Sequence, residues 1–279
     1  MSSRHYLTRV LVILVLSVSP VVLAPSEVSH SDDTGAQTAE KPRYVRTGAE
    51  GALSGKILFE DEAPSRKRID MSQDAICAET SRNPRTEDVI VNGDKLANVF
   101  VYVKSGNLAR FQFETPETNV VLDQQRCRFV PRVLGIQTGQ HILVFNSDPT
   151  THNVHPAPKY NPEWNQSQMA HGTPIETKFM RAETMIPVKC NQHPWMKAYV
   201  GVLTHPFFAV STTDGSFMID GLPPGDYSVV AWHEILGEQT ATVTIEPAER
   251  KSVDFTFGTT SSSRRSSVSL KIESPIVVQ

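Results

Sequence analysis

The chain has 279 residues, 39% of them hydrophobic, and 27 Lys and Arg against 30 Asp and Glu give a formal net charge of -3. That apolar content supports one large β domain or two smaller ones with real cores, and it excludes a chain disordered throughout. No basic stripe exists, so nucleic acid is disfavoured as a partner.

At the N-terminus Arg4 and Arg9 precede an apolar run over residues 10–23, broken by Ser17, Ser19 and Pro20 and followed by Ala24-Pro25-Ser26. This reads as a secretory signal over residues 1–26, which implies a periplasmic or secreted protein. The run falls short of the roughly 20 apolar residues of a membrane span. Membrane association is therefore expected only if the signal stays uncleaved. Pro25 blocks a cut after Ala24 and leaves Ser26 as the better candidate. Cleavage there removes two arginines and no acid, taking the net charge to about -5. Residues 27–48, rich in Ser, Asp, Glu, Thr and Lys, read as a mobile linker.

Ordered sequence begins near Gly51. Short β-type runs at 52–59, 88–91, 97–104, 119–122, 130–136 and 141–146 are separated by Gly, Pro, Asn and Asp. Strands at this spacing, with no long helical period, predict an all-β sandwich or barrel. One or two helical turns fit residues 70–80, with Ser72 as the candidate cap. A further strand is expected over 197–203, which closes a first domain at 49–204.

From Phe207 the style changes. Asp214-Gly215 and Pro223-Pro224-Gly225-Asp226 are turn sequences, and they flank alternating Phe217 and Ile219, then Tyr227, Val229 and Ala231. Residues 240–245 and 253–257 add two strands. The run D-G-x-F-x-I-x-G-L-P-P-G-x-Y resembles the carboxypeptidase regulatory-like, or transthyretin-like, β-sandwich, which implies a second, smaller sandwich over 205–258 with a structural or adhesive role. Fifty residues make a marginal core. The early strands "GALSGKILF" and "ANVFVYVKSG" are therefore suspected of completing it, with the other domain inserted between them. Residues 259–279, serine-rich with Arg264-Arg265, read as a disordered tail.

Three cysteines in an exported chain leave one without a mate. Cys77 and Cys127 are the natural disulfide candidates. Cys190 is left over, either as a buried free thiol or for another use. Its neighbours favour another use: Cys190-Asn191-Gln192-His193-Pro194-Trp195-Met196 sets a thiolate, an imidazole and a thioether at three-residue intervals. With 3 Cys, 9 His and 7 Met in the chain, chance would produce C-x-x-H-x-x-M only roughly 0.2% of the time. A blue copper centre needs a second imidazole beside these donors, with the thioether as a long axial ligand. "GQHILVFNSDPTTHNVH" offers His152, just beyond a strand ending at Asn146, so two loops at one end of a sandwich could meet around one ion.

Together these segments resemble the cupredoxins, in particular the amicyanin and plastocyanin type: Asn146-Ser147-Asp148, then His152-Asn153-Val154, then Cys190, His193 and Met196 on one short loop. The resemblance covers about residues 130–203. It implies one type 1 copper with His152, Cys190, His193 and Met196 as ligands, and Asn153 as the residue that tethers the two ligand loops. It also implies His193 as the solvent-facing ligand, with a redox partner protein docking near it. The long segment between the motifs and the upstream cysteines depart from a minimal member.

Other readings are weaker. His155, two residues beyond Asn153, should face away from the site. Met169, Met180 and Met185 read as packing residues rather than a thioether relay. His171, His205 and His233 read as interdomain packing residues. Trp195 either shields the metal or packs. No Ser/His/Asp set, phosphate loop or H-E-x-x-H is present, and zinc fits poorly with a thioether. The expectation is thus an exported single-electron carrier, not an enzyme, with no small-molecule substrate at the metal. Copper delivery by the same ligands, or a β-sandwich scaffold with a redox-idle site, are the alternatives.

Overall fold

Strand Ser216–Leu222 shows how local pattern becomes architecture: Phe217 and Ile219 are buried while Met218 and Asp220 face out, the period-two signature of a half-buried strand. It pairs antiparallel with Gly51–Phe59, Leu53 opposite Ile219 and Gly55 opposite Phe217. The other edge of Gly51–Phe59 runs parallel to Arg250–Phe257. At Gly55 a side chain is impossible, since a Cβ would lie 1.8 Å from the Val253 carbonyl oxygen. The computed structural model describes residues 40–259 and the backbone of 268–272; the expected signal at 1–26 lies outside the described residues.

Two β-sandwiches make up the described residues from Lys41 onward, which are all-β apart from one short α-helix and one 3-10 turn. In the first, a six-stranded sheet built on Gly51–Phe59 faces a four-stranded sheet ordered Phe208–Val210, Phe100–Gly106, Gly225–His233, Gly237–Ile245. Its core brings Leu53, Ile57, Phe217, Val253 and Phe255 together with Val101, Val103, Tyr227 and Val229. In the second, a five-stranded sheet ordered Gln166–Gln168, His152–Pro156, Glu183–Lys189, Lys197–Leu203, Val133–Gln137 faces a four-stranded sheet containing Ile142–Asn146 and Val120–Gln124. Leu122, Val144, Val154, Ile186 and Val200 fill it.

Division by sheets differs from division at residue 204. Residues 205–258 contribute five strands to the first sandwich, and Gly51–Phe59, Val91–Asn92, Lys95–Leu96 and Phe100–Gly106 from the other end of the chain complete its sheets. A five-strand fragment leaves the inner face of Gly225–His233 without a partner sheet, and burying that face is what recruits the early strands.

Three local expectations need correction. The cap of helix Ala75–Thr80 is Asp74, whose Oδ1 accepts from Cys77 N at 2.9 Å, not Ser72; Asp74 is the acceptor within reach of the third helical N–H. Part of the supposed mobile linker is anchored: Tyr44 N donates to the Gln112 carbonyl, and its ring packs 5.2 Å from both Phe111 and Phe113. In the tail, Val268–Ile272 pairs antiparallel with Arg250–Phe257, because that strand otherwise presents an open edge of backbone donors and acceptors.

The sandwiches meet at a dry patch of Phe100, Tyr102, Val133, Met185, Leu203 and Val230. Gly135 and Gly201, directly opposite each other in the second sandwich, leave the slot that the Phe100 ring fills; a Cβ on Gly201 would lie 2.4 Å from it. Beside the patch Arg132 is held bidentately by Glu234, at 2.5 and 2.9 Å.

His205 and His233 are buried within the first sandwich, against Phe113 and Phe207 and against Phe257 respectively, rather than between domains; His171 is exposed. Burial pushes both buried imidazoles from 6.5 down to about 4, and each Nδ1 accepts backbone N–H bonds that a proton there would break. The unfolded chain takes up these protons first. Stability should therefore fall as pH drops through about 6.5 and level off below about 4, by on the order of 3 kcal/mol per histidine. Urea unfolding at pH 7, 5.5 and 4.5 measures this; a flat profile would contradict it.

Candidate metal centre

Strand Glu183–Lys189 leads into the loop at 190–196, which returns as Lys197–Leu203 with Lys189 opposite Lys197. Cys190 N bonds to the Met196 carbonyl at 3.3 Å, and Met196 N to the His193 carbonyl at 2.9 Å. The C-x-x-H-x-x-M sequence is therefore a closed hairpin connection. His152 begins the neighbouring strand, paired to Glu183–Lys189 through Lys189 and His155. Sheet register, not proximity in sequence, carries His152 to the thiol.

The donors converge. His152 Nδ1 lies 2.9 Å from His193 Nδ1, and Cys190 Sγ lies 3.6 Å from His193 Nδ1. The ligand atoms of all three residues fall within 4.8 Å of one another. His152 is fully buried, Cys190 is 2% exposed, and Met196 is fully buried in the same cluster. Asn153 Oδ1 accepts from Asn191 N at 2.7 Å and lies 3.3 Å from Cys190 Sγ, which ties the strand of His152 to the loop of Cys190.

The outer edges of both imidazoles rest on carboxylates that the sequence reading did not assign. His152 Nε2 is 2.9 Å from Asp148 Oδ2, and His193 Nε2 is 3.1 Å from Asp74 Oδ2. Asp148 is itself fixed by the backbone N–H groups of Arg126 and Cys127, at 2.6 and 2.7 Å. Asp74 accepts from Thr150 Oγ1 and Cys77 N as well. Burial alone would raise the Asp74 carboxyl; these bonds lower it instead. A carboxylate on each Nε2 fixes that nitrogen as the protonated one and leaves both Nδ1 lone pairs facing inward.

Electrostatics agree with this geometry. Burial raises the Cys190 thiol, but hydrogen bonds with His152 and His193 and from the Asn153 backbone overcome it and hold the group near about 6. For His152 burial disfavours charge, yet Asp148 and Cys190 lift it to about 9. The two shifts share a cause: Cys190 and His152, both buried, each favour the opposite charge on the other. Two imidazoles and a thiol that ionises readily in this setting would hold a cation, so the residues fit a metal with nitrogen and thiolate preference.

His193 does not face solvent. It is 4% exposed, covered by helix Ala75–Thr80, which the Cys77–Cys127 disulfide staples across it. Cys77 Sγ lies 3.8 Å from His193 Nε2. Trp195 both packs and covers: its ring is 5.2 Å from that of His193, and its Nε1 donates to the Cys127 carbonyl at 3.0 Å. The helix is an addition to the ligand loops, so a carry-over from those loops alone has no means of anticipating it. The helical turns expected over 70–80 are found as Ala75–Thr80; what the sequence did not show is that they lie over His193.

His155 turns to Asn191 and Glu163, at 3.0 and 2.7 Å. Met185 is buried, whereas Met169 and Met180 are 73% and 64% exposed and do not pack; both sit outside regular strands, where no facing sheet covers them.

No family model and no curated protein matches the chain. Among solved structures, a copper-containing nitrite reductase from Thermus scotoductus SA-01 is 21% identical with a TM-score of 0.28, covering 30% of this chain and 22% of that one. This chain thus spans about a fifth of the nitrite reductase. A reduced amicyanin variant is 20% identical over 37% of this chain and 97% of its own, with a TM-score of 0.28. A purple cupredoxin from Nitrosopumilus maritimus is 19% identical over 30% and 98%, with a TM-score of 0.26. At scores this low the chemistry of the centre has to be read from its own donor atoms.

Proposed function

We propose that the chain is an exported mononuclear type 1 copper protein that carries single electrons, with His152, Cys190, His193 and Met196 as the residues that would hold the metal. One observation carries this reading: two imidazole Nδ1 atoms 2.9 Å apart converge with a thiolate, and both opposite ring edges are held by carboxylates. Two nitrogens, one thiolate and a thioether are the donor set that suits copper in both oxidation states. When bound, the metal supplies a one-electron couple. Asp148 and Asp74 orient the imidazoles, Asn153 fixes the two loops, and the buried walls exclude water. Four protein donors leave no position for a substrate, so the reading is not that of an enzyme. The first sandwich, with its transthyretin-like turns, serves as the scaffold.

The test is absorption. The copper-loaded protein should show a strong thiolate-to-copper band toward the red end of the visible spectrum, bleached reversibly by mild reductant. A colourless protein that takes up only Cu(I) would support delivery instead, a reading favoured by the exposed thioethers of Met169 and Met180. No uptake would leave a scaffold with an idle site.

The Asp148→Asn variant separates orientation from ligation. Its amide keeps the shape but not the charge beside His152 Nε2, and copper affinity should fall about 10- to 100-fold while the band persists. Chelator competition measures the change; unaltered affinity would remove Asp148 from the site.

A further inference from the structure

An electron carrier needs an edge of its centre near the surface, and here the edge of His193 is covered by Asp74 and by the disulfide. On the far side of that disulfide the surface is strongly basic. Arg126, adjacent to Cys127, lines a groove of about 830 Å³ together with Arg66, Arg82, Arg85, Arg128 and a single acid, Glu87. Five arginines and one glutamate leave four uncompensated positive charges in one concavity of a chain whose net charge is -3.

The guanidinium groups are organised rather than neutralised. Arg66 Nε donates to the Thr86 carbonyl, Arg85 Nη1 to the Arg66 carbonyl and Arg128 Nη2 to the Arg85 carbonyl. Glu87 pairs with Arg128 at 3.0 Å. Among the described residues Arg82 and Arg126 have no carboxylate partner, and both are exposed. The groove is built around the same staple as the centre: Ser81 Oγ donates to the Arg126 carbonyl at 2.5 Å, and Arg126 N binds Asp148, the support of His152.

We propose that this arginine groove, rather than the tip of the ligand loop, is where a redox partner protein docks its acidic face, with the Cys127–Cys77 disulfide and His193 forming the route inward. The inference rests on the copper reading. Forked guanidinium groups match carboxylates bidentately, and a concave patch of one sign steers an oppositely charged partner and raises its on-rate. One electron passes from partner to the oxidised centre; no bond is made or broken, and the disulfide stays oxidised. The competing surface, Asn191, Gln192 and Pro194 at the loop tip, is exposed but uncharged.

The experiment uses the copper-loaded full chain and two inorganic reductants of opposite charge, hexacyanoferrate(II) and hexaammineruthenium(II), with bleaching of the visible band followed by stopped flow. The rate with the anion should fall steeply with ionic strength, and the Arg82→Glu/Arg126→Glu variant should lower it about tenfold or more at low salt. The rate with the cation should hold or rise, and the band itself should not change. Gln192→Glu should alter the anion rate by less than about twofold. Anion rates that ignore salt and the arginine changes, or that collapse with Gln192→Glu alone, overturn the docking inference while leaving the copper reading intact. A protein that never develops the band overturns both.

Discussion

Replacing Cys190 with serine is expected to abolish the visible band of the copper-loaded protein completely and to leave the fold in place. The band requires a thiolate as ligand, and the sulfur is the one donor at the centre that His152 and His193 jointly hold near about 6. A serine hydroxyl remains protonated at neutral pH and is a harder donor, which removes the soft ligand the centre depends on. The cost in stability should stay small, about 1 kcal/mol, because the hydroxyl is nearly isosteric and has Asn153 Oδ1 within reach as an acceptor. Visible spectra and thermal unfolding of the variant beside the parent decide the matter. A retained band would mean that Cys190 is not the ligand, and an unfolded variant would mean that the thiol is structural.

The largest loss of stability is expected from Glu234→Ala at the junction of the sandwiches. The Arg132 side chain is 7% exposed and that of Glu234 3%. Glu234 takes both forks of the guanidinium and also accepts from Tyr199 Oη at 3.0 Å, while Asp88 reaches Arg132 Nη2 at 3.0 Å. Truncation strands a buried cation with only the more exposed Asp88 as partner, a change that costs about 3–5 kcal/mol. Replacing the pair together, Arg132→Met with Glu234→Leu, should recover most of that loss, because the penalty comes from the unpaired charge and not from the missing bond. Denaturant unfolding measures both variants; a single substitution costing under about 1 kcal/mol would show that water reaches the guanidinium.

How far the fold could be read in advance depended on the range of the signal. Phe217, Ile219, Tyr227 and Val229 announced their strands through period-two alternation, and all four are buried. Val230 is buried as well, which alternation does not predict, because its face meets the other sandwich. The exposed Met169 and Met180 failed for the converse reason: an apolar side chain implies a covered face only where another layer exists to cover it. At the centre, Cys190, His193 and Met196 share one loop and were visible as a spacing. Asp148 stood in the Asn146-Ser147-Asp148 motif without a role, and Asp74, 119 residues from its imidazole, carried no local mark of that contact.

From sequence alone it was settled that this chain is built of strands, that an odd cysteine stands among an imidazole and a thioether on a short connection, and that Cys77 and Cys127 are left to pair. These are properties of neighbours along the chain, written in turn residues, alternation and count. Tertiary structure decided which sheet edges pair, joining Gly51–Phe59 to both Ser216–Leu222 and Arg250–Phe257, and that a stapled helix closes over His193. Those outcomes follow from which sheet edges and apolar faces fit one another across long sequence separations, and short-range periodicity holds no record of that fit.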